Sequence, residues 1–128
     1  MKFDIKQPPR KFTPMQGIEL SDCGSIELAV DEQVTFIDEN NYSSDYTKKE
    51  WGYYLANSLN YRLTEQGFKT GVFISKKQNP PSIYVCTVNT DEIEKFNNYL
   101  KQVDGQLIIW LDEFDKNNYP YAEQNLAE

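Results

Sequence analysis

Residues 47–73, TKKEWGYYLANSLNYRLTEQGFKTGVF, constrain the fold more than any other stretch of this chain. Thr47 followed three residues later by Glu50 has the spacing of a capping box, in which hydroxyl and carboxylate each satisfy the other residue's amide. Trp51, Leu55 and Leu59 recur every four residues with Tyr54 beside them, which predicts one apolar stripe on a helix. Gly52 weakens the middle of that helix. Asn57-Ser58 offers a second cap ahead of Leu59 and Leu63, so two short helices, or a turn and one helix, fit as well as one long helix. Gly67 suits the left-handed position after the last turn, with Phe68 folding back on Leu63. Residues 69–74 then read as a strand. The stretch predicts a helix-to-strand hub on which the other segments close.

Composition narrows what such a chain does. A formal charge of -7 repels phosphate backbones and anionic bilayers, so neither nucleic acid nor a membrane is expected as a partner. There is no histidine, which removes the commonest general acid-base group and the commonest transition-metal ligand. Cys23 and Cys86 are two isolated cysteines, too few for a zinc or CxxC redox motif, and read as reduced structural thiols. Neither a metal nor a cofactor is expected. The opening MKFDIKQPPRKF has no signal-peptide core and no apolar run reaches bilayer length, which predicts a cytoplasmic protein.

From the N-terminus, Pro8, Pro9 and Pro14 exclude a helix and remove amides from any ladder, leaving either a lead-in strand with Phe3 and Ile5 on one face or a loose arm. Residues 17–37 change to a two-residue period: Ile18 and Leu20, then Ile26, Leu28 and Val30, then Val34 and Phe36. Asp22-Cys23-Gly24 and Asp31-Glu32 are read as the turns between these strands. Asp38-Glu39-Asn40-Asn41 is a further turn, and residues 42–47 return as a fourth strand. After the polar loop 76–81, residues 83–88 form a strand with both faces covered. Asn89 and Glu92 begin a helix whose buried stripe is Ile93, Phe96, Leu100 and Val103. Asp104-Gly105 ends it, and residues 107–111 read as a buried strand. The prediction is a single α+β domain over residues 1–111: an N-terminal antiparallel β-meander followed by helix-strand-strand-helix-strand, in a single sheet or two small sheets with two helices packed on one face. Residues 112–128 predict a polar, acidic, mobile C-terminal tail on which Tyr119 and Tyr121 dock locally.

Several of these segments carry a resemblance. Glu19-Leu20-Ser21-Asp22-Cys23-Gly24, Asp31-Glu32-Gln33-Val34-Thr35-Phe36, Trp51-Gly52-Tyr53-Tyr54, and Ser58-Leu59-Asn60-Tyr61-Arg62-Leu63 followed by Gly67-Phe68-Lys69-Thr70 resemble a group of small uncharacterised bacterial proteins encoded among surface-polysaccharide biosynthesis genes. The resemblance implies a cytoplasmic accessory role and no named activity.

Trp51, Tyr53 and Tyr54 beside Asn60 and Arg62 have the chemistry of a ligand-binding site for a sugar or sugar nucleotide. Aromatic faces meet sugar C–H groups and a guanidinium meets phosphate or carboxylate. The competing reading makes them ordinary core with a solvated helix face. Asp22, Asp31, Glu32, Asp38 and Glu39 have the chemistry for an acid-base pair or a shared cation, and turn chemistry explains them equally. Cys23 is the one plausible nucleophile, without a histidine or adjacent base to activate it. No catalytic residue is assigned. The expected function is a non-catalytic accessory or binding protein in bacterial surface-polysaccharide metabolism, contacting a protein partner or a sugar-containing small molecule. The alternatives are a small enzyme acting on a sugar or nucleotide through carboxylate or Tyr residues, and a structural homo-oligomer.

Overall fold

The computed structural model describes residues 1–59 and 61–113. The α+β expectation holds at that level, with strands outweighing helices and all sheets antiparallel. The chain forms two compact units, Met1–Ala56 and Asn57 onward. The boundary falls inside the expected hub, leaving Trp51 in the first unit and Leu63 in the second. No described helix is long and apolar enough to cross a membrane. The expected C-terminal tail lies outside the described residues from position 114, and Asp112 and Glu113 before it close a short 3-10 turn.

The first unit begins with a ribbon of β1 (Lys2–Met15) and β2 (Ile18–Glu27), turning at Gln16-Gly17. β1 runs through Pro8 and Pro9, and the ladder absorbs them as a bulge between Ile5 and Arg10. The expected turn at Asp22-Cys23-Gly24 is instead the middle of β2, opposite that bulge. Its turn-forming groups act within the strand: Gly24 holds φ +133°, and its N–H donates to Asp22 Oδ1 at 3.1 Å. The Asp22 carboxylate also holds Lys6 at 3.2 Å and Arg10 at 3.4 Å across the bulge.

These partners have a consequence for pH. The Gly24 amide first and then Lys6, with a lesser contribution from Arg10, keep the Asp22 carboxyl below the usual carboxylate range against the opposing effect of burial. A depressed folded value means the stabilisation is present above the ordinary carboxylate pKa and is lost as pH falls through the folded one. Cross-strand NOEs between Arg10 and Asp22 are therefore expected to fade on acidification below that range, and Asp22→Asn to remove the pH dependence. NOEs that persist unchanged into strong acid would show that the carboxylate does not set the register.

Leu28 is buried where the ribbon ends, and Ala29 to Glu32 turn the chain as expected, with the Ala29 N–H donating to Glu32 Oε1 at 2.7 Å. A three-stranded meander follows in the order β3 (Gln33–Ile37), β4 (Ser43–Lys49), β5 (Gly52–Leu55). The expected Asp38 turn joins β3 to β4, where Asp38 Oδ1 accepts from the Asn40 and Tyr42 amides and Asn41 takes φ +67°. The expected helix from Thr47 is absent. Trp51 falls in the connection ahead of β5, and along β5 Tyr53 and Leu55 alternate with Tyr54 in a two-residue period that the four-residue spacing of Trp51 and Leu55 conceals. Gly52 at φ +141° closes a tight hairpin there, and the Thr47 hydroxyl, rather than capping, donates across the sheet to Gln33 Oε1 at 3.0 Å.

The second unit follows the predicted order helix-strand-strand-helix-strand. Ser58 Oγ accepts from the N–H of Arg62, the first residue of α1 (Arg62–Glu65), and Gly67 takes φ +85° after it. Leu63 of α1 has no exposed surface. β6 (Phe68–Ser75) and β7 (Ser82–Asn89) form a hairpin. The Asn89 side chain accepts from the Asp91 N–H to start a 3-10 turn that leads into α2 (Ile93–Gln102), and β8 (Gly105–Trp110) returns to pair with β6. The strand order is β7-β6-β8, so β6 is central.

α2 packs its predicted stripe on one face of this sheet. Phe73 of β6 stacks on Tyr84 at 5.4 Å between ring centroids and meets Phe96 at 6.0 Å, while Phe96 meets Trp110 at 5.7 Å. Gly71 makes room for that layer, since a Cβ there lies 2.7 Å from the Trp110 ring. Lys69 lies 5.3 Å from the Trp110 ring centroid and pairs with Glu113 at 2.6 Å, which ties the final 3-10 turn to β6. Two burial expectations fail. Ile83 and Val85 of β7 stand 64% and 69% exposed on the face opposite α2, and β8 is an edge strand with Ile108 53% exposed. An edge strand with one helix-covered face is half buried whatever its composition.

Candidate functional site

The exposed aromatic residues of the predicted site gather at the tip of the β4–β5 hairpin. Glu50 and Trp51 form the two-residue connection between the paired Lys49 and Gly52, which lifts the Trp51 side chain clear of the sheet. Trp51 is 71% exposed and stacks on Tyr54, with centroids 5.9 Å apart and planes 22° from parallel. An exposed stack of this kind is a flat apolar platform held by a short connection.

The strand register sets what lies beside the platform. Tyr54 is paired with Thr47, and Thr47 with Gln33, and cross-strand partners share one side of a sheet. The next pair on that side is Thr35 with Asp45, whose side chains bond at 2.6 Å with the Thr35 hydroxyl donating. Thr47 and Gln33 bond at 3.0 Å. One face of the meander therefore runs from a Trp51/Tyr54 stack through a Thr47/Gln33 pair to a Thr35/Asp45 pair. Lys49 flanks this face in an ion pair with Asp31, and that bond is the main cause of its raised pKa.

The opposite face is mainly aromatic and aliphatic, with Lys48 and Ser44 among its residues. Val34, Tyr46 and Leu55 form one cross-strand row, Phe36 meets Tyr46 edge-on at 5.6 Å, and Lys48 Nζ lies 5.3 Å from the Tyr53 ring centroid. Tyr53 thus belongs to the same hairpin as Trp51 and Tyr54 and faces away from Tyr54. Arg62 is exposed at the start of α1 in the second unit. Asn60 lies outside the described residues.

Sequence reasoning missed Gln33, Thr35, Asp45 and Thr47. Their signal was alternation, Gln33 and Thr35 around Val34, Asp45 and Thr47 around Tyr46. That period shows only once 43–55 is read as strand rather than helix.

The acidic residues do not converge. Asp22 serves the ribbon, Asp31 pairs with Lys49, and Asp38 holds its own turn. Glu32 accepts from the Ala29 amide, which with the N-terminal ammonium lowers its pKa. Among the described residues no group of three or more Cys, Asp and Glu gathers to hold a metal ion. Both thiols are free; Cys23 is exposed on β2, and burial pushes the Cys86 thiol up despite a bond to the Gly71 carbonyl. No protein-family model, curated protein or solved structure matches this chain.

Proposed function

We propose that this chain is a non-catalytic binding protein that takes a sugar-containing ligand on the platform face of the β4–β5 hairpin, as an accessory factor in bacterial surface-polysaccharide metabolism. The observation that carries the reading is the exposed Trp51/Tyr54 stack on the same face as the Thr47/Gln33 and Thr35/Asp45 pairs. A pyranose has an apolar C–H face and a rim of hydroxyls. The stack suits the first, and the amide, hydroxyl and carboxylate oxygens suit the second. The side chains are already bonded to one another, so little ordering remains to oppose association.

The test is an NMR titration with a panel of mono- and oligosaccharides and sugar nucleotides. The Trp51 indole and the Gln33 and Thr47 amides are expected to shift together. Trp51→Ala is expected to weaken binding by roughly tenfold to a hundredfold, as loss of an aromatic anchor does. Tyr53→Ala, on the opposite face, leaves the affinity unchanged. Silence at Trp51 across the whole panel defeats the sugar reading.

A further inference from the structure

The platform face of the meander is longer than one sugar ring. β4 places Ser43, Asp45, Thr47 and Lys49 on that side, seven residues from end to end, which at about 3.3 Å per step makes a strip of about 20 Å. Its rows stand about 7 Å apart, two residues of rise, and each has its own chemistry. At one end is the Trp51/Tyr54 stack with the Thr47/Gln33 bond beside it. Next comes the Thr35/Asp45 bond, and beyond it Ile37 pairs with Ser43 and stands 65% exposed. A single pyranose laid on Trp51 leaves the two further rows untouched. A linear chain of rings carries its C–H face and its hydroxyl rim forward with every unit, which is the repeat these rows match.

Charge sorts the ligand further. Among the described residues of this face Lys49 is the cation, and its ammonium closes on the Asp31 carboxylate. Asp45 lies in the middle of the strip and Glu50 is exposed in the connection that carries Trp51, so carboxylates outnumber the ammonium. The guanidinium that a phosphate would call for is Arg62, which belongs to the other unit. A nucleoside diphosphate or a uronate therefore brings negative charge to a face that already carries it, in a chain of net charge -7. We infer, resting on the sugar reading above, that the ligand is an uncharged linear oligosaccharide of about three rings or more, one to a row along β4, and not a monosaccharide or a sugar nucleotide.

Titration of the full chain with cello-, manno- and galacto-oligosaccharides, from the monosaccharide to the hexasaccharide, tests this by NMR and needs no variant. Affinity is expected to rise by roughly tenfold or more from the monosaccharide to the trisaccharide, then to level off. The Trp51 indole shifts with every member that binds, and the Thr35 and Asp45 amides only with the longer ones. Oligogalacturonides of equal length and UDP-glucose are expected to bind roughly tenfold more weakly than the neutral chain. Asp31→Asn, at a φ of +68° that Asn accepts, releases Lys49 and is expected to narrow the oligogalacturonide deficit without changing the neutral affinity. Thr35→Val is expected to weaken the trisaccharide several-fold and leave the monosaccharide alone. A monosaccharide that binds as tightly as its trisaccharide, or an oligogalacturonide or UDP-glucose that outbinds the neutral chain, overturns this inference and leaves the sugar reading standing. Silence at Trp51 throughout overturns both.

Discussion

Phe73→Ala is expected to cost about 3–5 kcal/mol, the range for deleting a buried aromatic ring from a packed site. Phe73 is 8% exposed and sits on the central strand of its sheet, with Tyr84 from β7 stacked on it and Phe96 and Tyr99 from α2 meeting it edge-on at 6.0 and 6.4 Å. One ring thus joins β6, β7 and α2, and its removal leaves a cavity that none of the three fills without moving the others. Against a folding free energy of about 5–15 kcal/mol, the loss leaves the second unit barely stable. Urea unfolding followed by Trp110 fluorescence measures it, and Phe73→Leu, which keeps much of the volume, should recover a substantial part. A cost below about 1 kcal/mol would place the core elsewhere.

Gly24→Ala is expected to have the second large effect, confined to the first unit. A Cβ at position 24 stands 2.0 Å from the Asp4 carbonyl oxygen, which is backbone and has no rotamer to escape by, and φ there is +133°. Overpacking costs about 1–3 kcal/mol and a strained backbone position about as much again. The relief is for β1 to part from β2 around the bulge, so exchange of the β1 amides should accelerate towards the unstructured rate. The amides of β6 belong to the other compact unit and should hold their protection. If the β1 amides remain as protected as before, the close approach at Asp4 is not a feature of the molecule in solution.

The parts of the fold that could be read from the sequence are those where a local cap and a local period agree. Asn89 starts its turn, Ile93, Phe96, Leu100 and Val103 form a stripe, and Gly67 ends α1 at positive φ. Reading fails where a helical spacing spans a turn. Trp51 and Leu55 lie four apart, one helical turn, yet Trp51 sits in the connection and Leu55 at the end of β5, and the outcome depends on a hairpin closed by Gly52 and on Thr47 finding Gln33 across the sheet. Pairings between distant residues are not written in either segment alone. The same limit divided the candidate site. The exposed aromatics were identifiable as residue types, whereas the polar pairs beside them depend on the register of three strands. A helical reading puts Trp51 and Arg62 on one hub, whereas they belong to separate units.

The order β7-β6-β8 also bears on how the chain is made. In the first unit every strand pairs with its neighbour in sequence, so each hairpin can close as soon as its second strand leaves the ribosome. β6 differs, because its second partner arrives only after β7 and α2 have been synthesised. Until Trp110 emerges, one side of β6 carries unsatisfied amides and carbonyls, and Phe96 lacks the ring that closes over it. Translation therefore finishes the first unit well before the second, whose open strand is the step most exposed to misassembly with nascent neighbours.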